Sequence, residues 1–177
     1  MLKYTVEERI PPLRSPDIVL NAQGPFYSTS LGERILAAQG ESRADDIDLT
    51  YFLSPTSGHN LVSAAARTNR DIFANNTLTW GRNAVEFRTI SMTAAQYSSF
   101  NDSKALKGLF DGGQPSQVTG GNPPGSRITQ TASGGQGGQF AQGRVIAYKT
   151  ALGDKYGLIF VKSMTATEAV VEILRER

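Results

Sequence analysis

The sequence predicts an α+β domain on a mostly antiparallel sheet, curled or rolled into a half-barrel, with a C-terminal β-meander and two or three short helices. Three observations carry this. The stretch from Gly143 to Leu174 holds three runs rich in β-branched and aromatic residues, divided by the polar turns at 151–155 and 165–167. That spacing is the mark of consecutive antiparallel hairpins. Residues 46–53 alternate with a period of two, so Ile47, Leu49, Tyr51 and Leu53 share one face and Asp46, Asp48, Thr50 and Phe52 the other. Two segments, Ser30 to Glu33 and Thr93 to Gln96, carry the capping-box pattern that opens a helix.

In chain order, residues 2–6 read as a short strand. Pro11, Pro12 and Pro16 interrupt pairing, so residues 1–16 read as an extended arm. Residues 17–21 follow as a strand. The first capping box predicts a helix from Leu31 to Gln39, closed by Gly40. The alternating run at 46–53 is long enough for a central strand. Residues 54–60 are a loop by composition. A short helix is expected near Ala64 to Arg70, a brief strand at 77–80 and a better one at 84–90. The second capping box starts a helix that reaches Phe100, and Ser103 caps another from Lys104 to Phe110, stopped by Asp111-Gly112-Gly113. Residues 112–143 hold more than half of the 18 glycines and few large apolar side chains, which reads as one long loop around a short strand at 127–131. The core is expected from Ile47, Leu49, Tyr51, Phe87, Val145, Ala147, Leu158, Phe160, Val170 and Val171.

With 177 residues, 39% hydrophobic and 19% charged, the chain reads as a single domain, residues 1–177, with a core of its own. No apolar run approaches the ~20 residues of a membrane-spanning helix. A net charge of +2 from scattered basic residues argues against nucleic acid. The absence of cysteine excludes disulfides, thiolate zinc and cysteine nucleophiles. The first residues become charged before any apolar core develops, so no export signal is expected in this chain, and a cytoplasmic protein stands as the alternative to an exported one.

Few residues point to chemistry. His59 is the sole histidine, close in sequence to Ser54, Ser57 and Ser63. No Gly-x-Ser-x-Gly elbow accompanies it, and an exposed loop histidine is the plainer expectation. Asp46 and Asp48, on one side of the expected strand, could bridge a hard cation such as calcium. At a strand spacing of about 7 Å they could also serve as the paired carboxylates of an inverting glycoside hydrolase. The plainer reading is a solvated strand edge, or partners for Arg43, Arg82 or Arg88. No other cofactor is indicated: the glycine-rich stretch lacks both phosphate-binding signatures. Trp80, Arg82, Asn83, Tyr51 and Tyr97 could form an aromatic and polar surface suited to a sugar ring, against the ordinary alternative that the one tryptophan lies in the core.

The order of Asp46 to Tyr51, Trp80-Gly81-Arg82-Asn83 leading to Phe87-Arg88, the helix after Thr93, and Gly143 to Thr150 with Lys155 to Lys162 resembles secreted or lipid-anchored envelope proteins of Bacteroidetes-type bacteria, a group of uncharacterised function. The resemblance spans residues 17–174. It implies an exported protein, periplasmic or at the cell surface, although the chain shows neither export signal nor lipid-attachment cysteine. The functional expectation is a non-catalytic envelope module that binds a glycan or a protein partner. The alternatives are a carbohydrate-active hydrolase using Asp46 and Asp48, and an assembly subunit that uses the N-terminal arm and the glycine-rich loop.

Overall fold

The computed structural model describes residues 9–66, 83–116, 124–131 and 139–177. Within these the strands are β1 (Leu13–Leu20), β2 (Phe26–Ser28), β3 (Glu33–Ile35), β4 (Leu49–Ser54), β5 (Gly58–Ser63), β6 (Val85–Thr89), β7 (Gln114–Pro115), β8 (Arg127–Thr129), β9 (Val145–Thr150), β10 (Tyr156–Met164) and β11 (Ala169–Arg175). Two short helices, α1 (Ala94–Ser98) and α2 (Ala105–Asp111), lie between β6 and β7. The described strands form two antiparallel sheets, one ordered β1-β11-β10-β9-β6-β7 and the other β3-β2-β4-β5-β8. The fold is thus β-rich and antiparallel with few short helices. It is two separate sheets rather than one curled sheet or half-barrel.

The sequence of β9 explains the layering. Val145-Ile-Ala-Tyr148 is apolar at every position, as a strand buried on both faces requires. Ile146 and Tyr148 point with Ile159, Val161, Val171 and Ile173 into a core shared with Tyr27, Leu49, Tyr51, Leu61 and Ile128 of the second sheet. Val145 and Ala147 point the other way, with Leu158 and Leu174, against Tyr97 of α1 and Leu106 and Phe110 of α2. The six-stranded sheet is therefore the middle layer. Each fully buried large apolar side chain stabilises by roughly 1.5–3 kcal/mol, so these two interfaces outweigh any set of exposed ion pairs.

Gly157 on β10 shows how tight the middle layer is. A Cβ there would lie 2.3 Å from Cζ of Tyr148 and 2.3 Å from the carbonyl oxygen of Leu174. The Tyr148 ring crosses β10 above this glycine, and its hydroxyl donates to the Leu174 carbonyl on β11 at 3.4 Å.

The C-terminal meander forms as expected, but β10 and β9 pair with β11 and β6, and not with β4, which lies in the facing sheet. The N-terminal arm ends inside a strand. β1 runs through Pro16 on a sheet edge, where a missing N–H costs no ladder bond. The register shifts between Ser15 and Ile18, and Asp17 takes a φ of 52°.

The helix expected over 31–39 is absent. Phe26 pairs with Ile35 and Ser28 with Glu33, so Thr29 to Gly32 is the loop of a β-hairpin. Burial of Phe26 and Ile35 against Ile47 and Ala64 outcompetes the weak helical signal. A 3-10 turn at Ala37–Gln39 is all that remains of it. The strand expected from Asp46 begins later, at Leu49, after a 3-10 turn at Ala44–Asp46. The expected loop at 54–60 is half strand: Gly58, with a φ of 64°, turns the chain straight into β5.

The second capping box does form. Gln96 N–H donates to the Thr93 hydroxyl at 3.2 Å, and Thr93 N–H to the Gln96 side-chain oxygen at 2.8 Å. The long glycine-rich stretch contains β7 and β8. Of the expected core, Phe160 and Val170 are only half-buried, and the rest are buried. The strands expected at 2–6 and 77–80, and most of the helix expected over 64–70, lie outside the described residues.

Candidate functional site

A cavity of about 340 Å³ opens where the ends of the two sheets meet. Its described walls are small and mostly apolar: Ala65, Ala66, Ala84, Val85, Pro124 and Ala151, with Ser63 and Ser126. Glu86, Lys149 and Asp154 complete the described lining. Three backbone and side-chain ties hold the walls. Ser63 Oγ, at the end of β5, accepts from Val85 N–H of β6 at 2.9 Å. Ser63 N–H donates to the Ser126 carbonyl at 2.8 Å, and Ala151 N–H to the Ala84 carbonyl at 2.8 Å. The first of these joins the two sheets, so the cavity is built by the fold and not by loops alone.

The charged lining groups are paired. Lys149 Nζ lies 2.9 Å from Asp154 Oδ1, and Glu86 Oε1 lies 2.9 Å from Arg88 Nε. The Asp154 carboxylate beside it raises the Lys149 ammonium above its ordinary pKa. Asp154 follows Gly153 in the left-handed region, with φ values of 49° and 76°, which turns its carboxylate back toward Lys149. The site therefore offers small apolar walls together with two carboxylates and one ammonium.

The residues expected to bind a sugar do not converge. Tyr51 lies 1% exposed in the core between the sheets, and Tyr97 is fully buried under the helices. Burial raises the pKa of both phenols. Asn83 leads into the cavity wall at Ala84, but its side-chain N–H₂ is spent on the Asp45 and Ile47 carbonyls at 2.7 and 3.2 Å. Trp80 and Arg82 lie outside the described residues.

The two acids proposed for calcium or for hydrolysis are placed differently from each other. Asp46 sits half-buried in the 3-10 turn, paired with Arg43 Nε at 3.1 Å. Asp48 is buried, and its Oδ2 accepts from both the N–H and the hydroxyl of Thr29 at 2.6 Å. Burial raises its pKa, and the bonds from Thr29 and Ser30 oppose that rise. No group of three or more potential metal ligands occurs among the described residues. Asp48 serves the hairpin loop: it takes the N–H groups at Thr29 while the Arg175 guanidinium takes the carbonyls of Thr29, Ser30 and Leu31. An anion at the donors and a cation at the acceptors fix one loop across both sheets.

His59 is not an exposed loop residue but is 3% exposed on β5. Its Nε2 lies 2.9 Å from the Thr165 carbonyl, which can only accept, so Nε2 carries the proton. Nδ1 is then an acceptor, and the Tyr51 hydroxyl donates to it at 2.5 Å. Nε2 thus pins the β10–β11 turn to the second sheet, while Nδ1 ties β5 to β4 within that sheet. Burial lowers the His59 pKa, with the Thr165 bond opposing it.

No protein-family model matches the sequence, and no curated protein matches it. The fold is similar to that of a DUF4466 family protein from Parabacteroides merdae. The likeness has a TM-score of 0.66 at 13% identity and covers 93% of this chain. It covers 53% of the other, so the chain spans about half the length of that protein. At this identity the likeness shows a shared fold and carries no activity with it. P. merdae belongs to the Bacteroidetes, the bacterial group expected from the sequence.

The cavity went unseen in the sequence because its walls come from four distant segments, each contributing alanine, serine or proline. The one available signal was the pair Ala65-Ala66 beside the strand end at Ser63.

Proposed function

We propose that this protein is a non-catalytic binding module of the bacterial envelope, exported to the periplasm or surface, and that it takes a glycan or a protein partner. The observation that carries this reading is the 340 Å³ cavity between the sheet ends. Its size falls in the range of small-ligand sites, and apolar walls with a few polar groups are their usual lining. A terminal sugar or a single side chain would fit it, with Lys149, Asp154 and Glu86 within reach of hydroxyl or charged groups. The histidine and the buried acid that could have served catalysis support the same reading, because each is engaged in holding the fold.

The test is a glycan array and a pull-down from envelope extracts, run on the wild-type chain and on Ala65→Trp and Ala151→Trp. Both alanines are exposed at the cavity, so an indole there fills the mouth with little cost to the core. Binding by the wild type that both variants lose supports the reading. Binding that neither variant alters, or no binding by the wild type, overturns it.

A further inference from the structure

Away from the cavity, the second sheet carries a cation with no counter-ion among the described residues. Arg127 of β8 is half-buried, and its side chain lies across β5. Its Nε and Nη2 donate to Asn60 Oδ1 at 3.1 and 2.8 Å, and Nη2 also donates to Ser57 Oγ at 3.2 Å. The Phe52 ring of β4 supports the guanidinium, with Cζ 5.6 Å from the ring centroid. Asn60 is itself held, its Nδ2 donating to the Gly58 carbonyl at 2.7 Å. Among the described residues no carboxylate pairs with Arg127, and its Nη1 group makes no bond.

Two physical points follow. A half-buried charge loses hydration, and no described residue on this face returns that loss with an opposite charge. Burial accordingly lowers the Arg127 pKa. Second, the guanidinium is already fixed by three donated bonds and an aromatic ring, so a ligand would pay little to order it. Both Nη2 hydrogens are taken by Asn60 and Ser57, which leaves the Nη1 N–H₂ of a fixed cation to donate a charge-assisted bond to a carboxylate oxygen.

The neighbours decide between kinds of carboxylate. Ser57 and Asn60 hold the guanidinium, and Thr56, Gln130 and Thr131 are exposed beside them. Thr131 Oγ1 donates to the Thr56 carbonyl at 3.1 Å, and Ser54 and Thr56 share a hydroxyl contact of 3.1 Å. This is a hydroxyl and amide surface, which suits the ring hydroxyls of a sugar better than the apolar side chains that flank acids in a peptide.

We propose that Arg127, seated on Phe52 and Asn60, is an anion-binding residue for the carboxylate of an acidic sugar, a uronate. The proposal rests on the glycan branch of the function given above and adds a second contact point outside the cavity.

The experiment is calorimetric titration of the full chain with an oligogalacturonate, its carboxyl-reduced neutral counterpart of equal length, and an oligoglutamate. The proteins are the wild type, Arg127→Lys and Arg127→Met, each checked for folding by circular dichroism. The proposal expects the wild type to bind the uronate at least about tenfold more tightly than the neutral saccharide, since a charge-assisted bond is lost. It expects Arg127→Lys, which keeps the charge but not the fixed seat on Asn60, Ser57 and Phe52, to weaken the uronate about tenfold, and Arg127→Met to erase the preference. Equal binding of both saccharides, unaffected by Arg127→Lys, overturns the proposal and leaves the glycan reading standing. Failure of either saccharide to bind overturns both. Tighter, Arg127-dependent binding of the oligoglutamate assigns the site to a peptide and overturns the sugar class. Should Arg127→Met fail to fold, the comparison of charged and neutral saccharides on the wild type still decides.

Discussion

The two sheets of this protein solve different problems. In the six-stranded sheet, β9, β10 and β11 bury side chains on both faces, against the second sheet and against α1 and α2. In the five-stranded sheet only one face enters the main core. Its other face carries Thr50, Asn60, Thr129 and Arg127 beside a small apolar cluster at Phe26, Ile35, Ile47 and Ala64. A layer closed on both sides has little surface left to offer a ligand. The candidate cavity therefore lies where that layer meets its neighbour, and the candidate anion site lies wholly on the neighbour.

Breaking the middle layer should do the most damage. Gly157→Ala places a methyl group against the Tyr148 ring and the Leu174 carbonyl, and neither can yield without shifting a central strand. A loss of about 3 kcal/mol or more is expected from such overpacking, read from the urea midpoint. The hairpin loop of the second sheet comes next. Asp48→Ala strands the N–H and hydroxyl of Thr29 in a buried site and should cost about 2–3 kcal/mol. Asp48→Asn keeps an acceptor and removes a charge whose burial is unfavourable, so it should cost under about 1 kcal/mol. If Asn and Ala proved equally harmful, the charge itself would be what holds the loop.

The Tyr51–His59–Thr165 chain should matter less. Tyr51→Phe leaves Nδ1 of His59 without its donor and should cost about 1 kcal/mol. The pH dependence has a definite sign. The folded His59 pKa lies below its ordinary 6.5, so the unfolded chain binds the proton first as pH falls. The contribution is complete above 6.5 and is lost as pH falls through the depressed folded value. Urea midpoints should therefore fall more steeply with acid below 6.5 in the wild type than in His59→Gln; equal slopes would show that His59 does not carry the effect. The smallest effect is expected at the surface. Lys107→Ala removes an exposed ion pair to Asp111 and should leave the midpoint unchanged within error.

The same contrast separates what the sequence made legible from what it hid. The meander from Val145 to Arg175 was readable because dense β-branched residues and short turns specify neighbours directly. The Thr93 box and α2 were readable because caps are local chemistry. The division into two sheets was not, since hairpin signals name only adjacent partners and are silent on which face of Leu49 to Leu53 meets which strand. The Ser30 to Glu33 box misled because its hydroxyl and carboxylate pattern also suits a hairpin loop, and burial of Phe26 and Ile35 settled the choice. His59 and Asn60 read as loop because polar residues on a strand are expected to face water; here their partners, Tyr51 and Arg127, lie across the sheet. The anion site was invisible for the same reason. Phe52 and Asn60 are cross-strand partners in one hairpin, but Arg127 lies 67 positions beyond Asn60 and joins them only when β8 aligns on β5.

Native-state amide hydrogen exchange tests the division of labour most directly. Amides of β10 and β11, enclosed on both faces, should exchange only through global unfolding, while those of the short strands β3 and β8 should open earlier and at lower free energy. Equal protection across both sheets, or faster exchange in β10 and β11 than in β8, would contradict the account.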